Sequence, residues 1–138
     1  MREGEQVFVD TGAWIALALV RDPLHASARE IWEALRGAGA RLHTSVPVIL
    51  ETFTFLDRNT ARDVALAWKD SLHEMSGLRI HAVLPGELEA TWAYFRQRVF
   101  HKLSAVDATS FMLMSKAKIR IAFAFDHHFT VAGFRLVE

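Results

Sequence analysis

The 138-residue sequence contains no cysteine. Disulfide frameworks and thiolate metal sites are therefore excluded, and a reducing cytoplasm is the expected setting. Proline and glycine are scarce, at three and seven residues. They form no linker, repeat or low-complexity tract, so residues 1–138 are expected to make one domain, long enough to bury a full core. A long hydrophobic run is missing too. The longest weakly charged stretch, Val7 to Val20, is broken by Asp10 and too short to span a bilayer. Glu3 and Glu5 beside Arg2 suit a signal peptide poorly, and no membrane association is expected.

Net charge is absent as well, but the balance hides an asymmetry. Residues 1–89 carry nine Lys/Arg against thirteen Asp/Glu. Residues 90–125 carry six (Arg96, Arg98, Lys102, Lys116, Lys118 and Arg120) against one acid, Asp107. A basic segment around a lone carboxylate suits an anionic substrate. Taken alone it reads as solvated surface, since helix C-termini favour cations in any case.

What is present is a 51% hydrophobic chain with 23% charge, the balance of a compact soluble protein. Its apolar runs alternate in length and period. Val7–Asp10, Arg41–Thr44, Arg79–Val83, Ile119–Phe125 and residues 133–138 read as short strands. Between them, helices are expected over Thr11 to about Val20, Leu24–Arg36, residues 45–58, Thr60–Met75, Gly86–Phe100 and Ser104–Ala117. Ser45 caps the third of these and Pro47 sits in its first turn. Strands alternating with helices imply an α/β fold with a parallel sheet covered on both faces.

Two of the strands stop at a carboxylate, "QVFVD" at Asp10 and "IAFAFD" at Asp126. In an open parallel sheet, ligands bind outside the carboxyl ends of the strands. Asp107, in the first turn of its helix, and Glu51, one to two turns into its own, belong to the same rim. Each aspartate has a bland reading as a helix or turn cap; "SAVD" has the spacing of a capping box. Glu51 resists that reading. Its helix is apolar on nearly every side, so the glutamate is expected to be buried and to need a partner from elsewhere in the fold or a bound cation. Four converging carboxylates repel one another unless a cation joins them. Hard oxygen ligands without cysteine favour Mg²⁺ or Mn²⁺ over zinc. Such an ion polarises a phosphoryl oxygen and activates water, the chemistry of phosphodiester hydrolysis.

In order along the chain, "VFVDTGAW", "VILETF", "LSAVDATSF" and "IAFAFDHHF" resemble the four acidic motifs of the PIN-domain family. The likeness is to its small single-domain members of the VapC toxin type, and it extends from Val7 to the final "AGFRLVE". It implies a single-domain PIN-like fold, a five-stranded parallel sheet flanked by helices on both faces. It also implies a Mg²⁺- or Mn²⁺-dependent endoribonuclease acting on RNA, restrained as a toxin by a cognate antitoxin protein and forming a homodimer. The resemblance places the catalytic and metal-binding roles on Asp10, Glu51, Asp107 and Asp126. Many members have Ser or Thr two residues before the last aspartate, where this chain has Ala124. Thr11, beside Asp10, keeps one hydroxyl to support the site.

Two other classes compete. A phosphotransfer domain also places aspartate after its first strand, but a dehalogenase type wants a second aspartate at position 12, which is Gly12. A receiver type wants an aspartate ending the third strand, and "RIHAVLPG" has none. The other alternative is a non-catalytic RNA-binding or regulatory PIN-like module with a structural metal site. Arg96, Arg98 and Lys102 are candidates for RNA phosphate contact as the chain approaches Asp107. His127 and His128 invite a zinc reading, but no further histidine at helical spacing completes a set, so they read as turn residues. Trp32 and Trp68 lie in apolar stripes and read as core or dimer interface.

Overall fold

A computed structural model describes residues 4–137; Arg2, Glu3 and Glu138, which entered the readings above, lie outside the described residues. Strand β1 (Gln6–Val9) is built from Val7, Phe8 and Val9, all fully buried. Successive side chains of a strand point to opposite faces, so three consecutive buried residues require cover on both. β1 pairs in parallel with β2 (Arg41–Ser45) on one side and β4 (Ile121–Phe123) on the other, with Val7 beside Leu42 and Ile121. β3 (Arg79–His81) and β5 (Arg135–Leu136) complete the sheet in the order β3-β2-β1-β4-β5. The chain leaves β1 toward β2 and β3, then returns to β4 on the opposite side. That reversal opens a crevice at the carboxyl ends of β1 and β4. The receiver order 2-1-3-4-5 is a different winding.

Helices α1 (Thr11–Ala18), α2 (His25–Gly37), α3 (Val46–Asn59) and α4 (Arg62–His73) fill the crossovers that flank β2, with α3 and α4 forming the expected pair before β3. Trp14 of α1 anchors this part of the core. Its ring lies 5.8 Å from Trp32 and 6.0 Å from Trp68. Its Nε1–H donates to Thr44 Oγ1 at 3.1 Å, and that hydroxyl donates to the Val9 carbonyl at 2.9 Å. The buried hydroxyl thus ties α1 to both central strands.

α3 starts as its residues require. Ser45 Oγ accepts from the Val48 N–H, and Pro47 lies in the first turn. Its burial differs from the expectation. Val48, Thr52 and Leu56 form the inward stripe, whereas Leu50 is 61% exposed and Val46 and Phe55 also face outward. Glu51 is consequently half-buried rather than enclosed. A helix apolar all round here has one face in the core and one unpartnered in this chain.

Residues 86–100 do not form the single helix expected. Only Leu88–Trp92 forms an α-helix, α5, flanked by 3₁₀ turns at Pro85–Glu87 and Ala93–Arg96. The aromatic and β-branched run from Thr91 to Phe95 has little helical preference. Phe100 instead stacks on Phe111, and Tyr94 meets the same ring edge-on. Phe111 belongs to α6 (Ala105–Ala117), whose entry is capped by Ser104. Phe129 and Phe134 close the cluster at 5.0 and 5.9 Å from Phe111. Phe129 lies in a one-turn helix, α7 (His128–Val131), where a turn was expected. Among the described residues, no helix is long and apolar enough to cross a membrane.

Candidate active site

Asp10 follows β1 directly, and its backbone N–H still reaches the Phe123 carbonyl of β4 at 3.0 Å. It therefore stands at the mouth of the crevice, at the first residue before α1. Its side chain makes no capping hydrogen bond, and Oδ1 is buried without a partner. A regular cap is thus not formed, although the first two N–H groups of α1 lie near the carboxyl. Burial pushes the Asp10 carboxyl up to about 7; the charges of Glu51 and Asp126 push the same way, against the N–H groups of Thr11 and Gly12. Thr11 Oγ1 is likewise buried and unpartnered.

Asp107 enters from α6. Ser104 Oγ accepts its backbone N–H at 2.9 Å, so Ser104 caps the helix and leaves the Asp107 carboxylate free to face the crevice. Burial, then the charge of Asp10 and the closeness of Asp126, hold that carboxyl well above the usual range. For Asp126, burial also acts upward, but hydrogen bonding from the His128 backbone N–H and the neighbouring Asp107 and His128 side chains outweighs it. Its carboxyl stays below the ordinary value, so between Asp107 and Asp126 the proton resides on Asp107. Asp126 also does what its bland reading required, since Oδ1 accepts the His128 N–H at 2.9 Å. Capping and site membership coexist.

The structure brings Asp107, Asp126 and His128 within 4.8 Å of one another through one ligand atom each. Asp10 and Glu51 lie outside that tight group but act on it, their charges bearing on Asp107. Glu51 reaches the crevice beside a groove of about 530 Å³ that Pro47, Leu50, Phe55, Arg58 and Val106 help to line. His128 is the residue sequence reasoning missed. Two adjacent histidines carry no periodicity that says which ring turns inward; the burial of Phe129 settles it by fixing α7. Arg98 and Lys102 are exposed in the loop before Ser104, while Arg96 lies 3.8 Å from Glu89 on the surface. The His101 carbonyl of that loop reaches His128 Nε2 at 2.8 Å. Ala124, two residues before Asp126, is buried and adds no hydroxyl.

The donor set suits a hard divalent cation. Three aspartates and a half-buried glutamate converge here, one aspartate oxygen and the adjacent Thr11 hydroxyl are buried without partners, and such atoms are rare unless a ligand or ion completes them. A group of acids that can hold such an ion is therefore present.

A parallel sheet in this order, with acids converging at its switch point, defines a class. Residues 7–135 match the PIN domain family model, and the chain belongs to that family. Over 128 residues it is 34% identical to VapC20 of Mycobacterium tuberculosis, described as a 23S rRNA-specific endonuclease, covering 93% of this chain and 95% of that protein. The crystal structure of VapC20, described as a sarcin–ricin loop cleaving toxin, superposes with a TM-score of 0.83 at 33% identity, covering 93% of this chain and 95% of that one. VapBC2 from Rickettsia felis, solved bound to a DNA fragment from its promoter, superposes with a TM-score of 0.71 at 11% identity, covering 95% and 96%. At that identity it attests the shared fold alone.

Proposed function

We propose that this chain is a divalent-metal-dependent endoribonuclease of the VapC type, held in check by an antitoxin protein, with Asp10, Glu51, Asp107 and Asp126 holding the ion. The observation that carries the reading is the gathering of Asp107 and Asp126 at the switch point of a PIN fold, with Asp10 buried beside them and Glu51 near enough for its charge to bear on Asp10 and Asp107. The similarity to VapC20 along nearly the whole of both chains supports a ribosomal RNA loop as the substrate.

The chain's own groups divide the work. In the metal-free state near neutral pH Asp107 favours its protonated form and Asp10 is shared between both forms, so a cation entering would displace protons. Asp126, held ionised by the His128 N–H, is ready to bind without that step. When bound, the ion supplies Lewis acidity at a phosphoryl oxygen and neutralises charge that develops there. Thr11 Oγ1 is free to orient a carboxylate or water beside Asp10. Arg98 and Lys102 hold RNA phosphates on the loop next to the site, and Arg96 extends the same basic strip.

Cleavage mapping on ribosomes and total RNA, with Mn²⁺ or Mg²⁺ added, tests this. A discrete cut in large-subunit RNA is expected from the wild type and none from Asp10→Asn. Cleavage of equal strength by an Asp10→Asn/Asp126→Asn double variant would refute it. Metal-induced stabilisation with no cut in any RNA would favour the non-catalytic module instead.

A further inference from the structure

His128 is turned into the site by the fold, not left on the surface. Its side chain is 12% exposed, against 80% for His127. Nε2 lies 2.8 Å from the His101 carbonyl oxygen. A carbonyl only accepts, so Nε2 carries a hydrogen, and in the neutral ring Nδ1 carries a lone pair. Nδ1 faces carboxyl oxygens of both aspartates. Nδ1 is 3.0 Å from Asp126 Oδ1 and 3.9 Å from Asp107 Oδ2, buried and without a hydrogen-bond partner. Asp126 Oδ1 already accepts the His128 backbone N–H.

Once Asp107 has given up its proton, these groups are three Lewis bases facing one another, and a shared cation holds them together. Separations of 3.0 and 3.9 Å are short enough for one divalent ion to be reached by all three groups. The other half of the arrangement fits as well. Metal-bound histidines commonly donate their second N–H to a backbone carbonyl, which fixes the tautomer and the ring plane. The His101 carbonyl does this for His128.

We infer that His128 Nδ1 is a ligand of the divalent ion alongside Asp107 and Asp126, and that it biases the site toward Mn²⁺ and later transition ions over Mg²⁺. Imidazole nitrogen suits transition ions, whereas Mg²⁺ keeps to oxygen. The inference rests on the divalent site proposed above but not on RNA cleavage. It also gives the loop carrying Arg98 and Lys102 a mechanical link to the ion, through His101 and the imidazole.

The test uses Mn²⁺ itself as the probe. Pulsed electron paramagnetic resonance of the Mn²⁺-loaded wild type is expected to show coupling to a directly bound ¹⁴N, replaced by a ¹⁵N pattern when histidine is labelled. His128→Gln should lose the coupling and His127→Gln should keep it. Titration calorimetry should find Mn²⁺ bound at least tenfold more tightly than Mg²⁺. In His128→Gln that ratio should fall by about tenfold, mainly through weaker Mn²⁺ binding. Mn²⁺ that binds the wild type, and fails to bind Asp126→Asn, yet shows no nitrogen coupling would overturn the role of His128 and leave the carboxylate site standing. No Mn²⁺ binding at any concentration would overturn both. The wild-type spectrum decides the matter even if the His128 variant does not fold.

Discussion

A carboxylate folded into the mouth of a sheet is stable there when neutral or beside a cation. Asp10 is 4% exposed, and burial, with Glu51 and Asp126 adding to it, moves its carboxyl from 3.8 to about 7. The unfolded chain therefore loses this proton first, and the folded state loses stability as pH rises through that interval, with the cost complete above about 7. At pH 8 without metal, Asp10→Asn is expected to melt higher than the wild type by roughly 5 °C. At pH 4.5 most of that difference should be gone, and Mn²⁺ at pH 8 should raise the wild type far more than the variant. Thermal melts at the two pH values check this; equal melting at pH 8 would refute the burial argument. His43 acts with the opposite sign. Burial and the neighbouring His81, Arg79 and Arg41 lower it from 6.5 to about 4, so its stabilising contribution is complete above about 6.5 and is lost as pH falls toward 4. His43→Gln should flatten the acid limb of the same melting profile and leave the pH 8 value nearly unchanged. Asp10 and Asp126 are readable in the sequence because apolar runs end on them, and a parallel sheet gives such endings one location. His128 is not, because its direction depends on Phe129 finding Phe111 across the fold.

Helix starts deliver the acids, and the caps of those helices set how firmly. Ser104 Oγ holds the Asp107 N–H at 2.9 Å, and Ser45 Oγ holds the Val48 N–H at 3.2 Å one turn before Glu51. Removing a serine cap costs about 1 kcal/mol. Ser104→Ala is expected to lower the melting temperature by a few degrees and to weaken Mn²⁺ binding, because the first turn that fixes the Asp107 carboxylate frays. Calorimetry on the folded variant separates these effects; unchanged Mn²⁺ affinity would mean that Phe111 and Met114 packing alone hold the turn. Both caps are legible in the sequence, as are all five strands and most helices, because a hydroxyl before an apolar run has a local cause. The elements that are misread have distant causes. Residues 93–100 leave the helix because Phe100 packs on α6, and the outer face of α3 stays uncovered although its residues are as apolar as the inner ones.

Across the whole molecule, charge is distributed more tellingly than its zero sum suggests. Of the basic residues between 90 and 125, Lys116 pairs with Glu87 and Arg96 lies near Glu89. Arg98 and Lys102 form no ion pair among the described residues and flank the His101 carbonyl that meets His128. Lys118, Arg120 and Arg135 gather instead at the amino-terminal end of the sheet, around a groove shared with Gly4, Glu5 and Gln6. A polyanion drawn only by overall field would feel both clusters, whereas one seated at the crevice feels the first. Arg98→Ala/Lys102→Ala is therefore expected to raise KM for RNA about tenfold at physiological salt, to leave kcat within about twofold, and to reduce the slope of log KM against log salt by about 1.4, or 0.7 per lost phosphate contact. Lys118→Ala/Arg120→Ala should change neither quantity, and both double variants should keep the wild-type Mn²⁺ affinity. Steady-state cleavage of a short RNA loop at several salt concentrations measures this; equal losses from the two pairs would mean that the basic loop attracts RNA without positioning it.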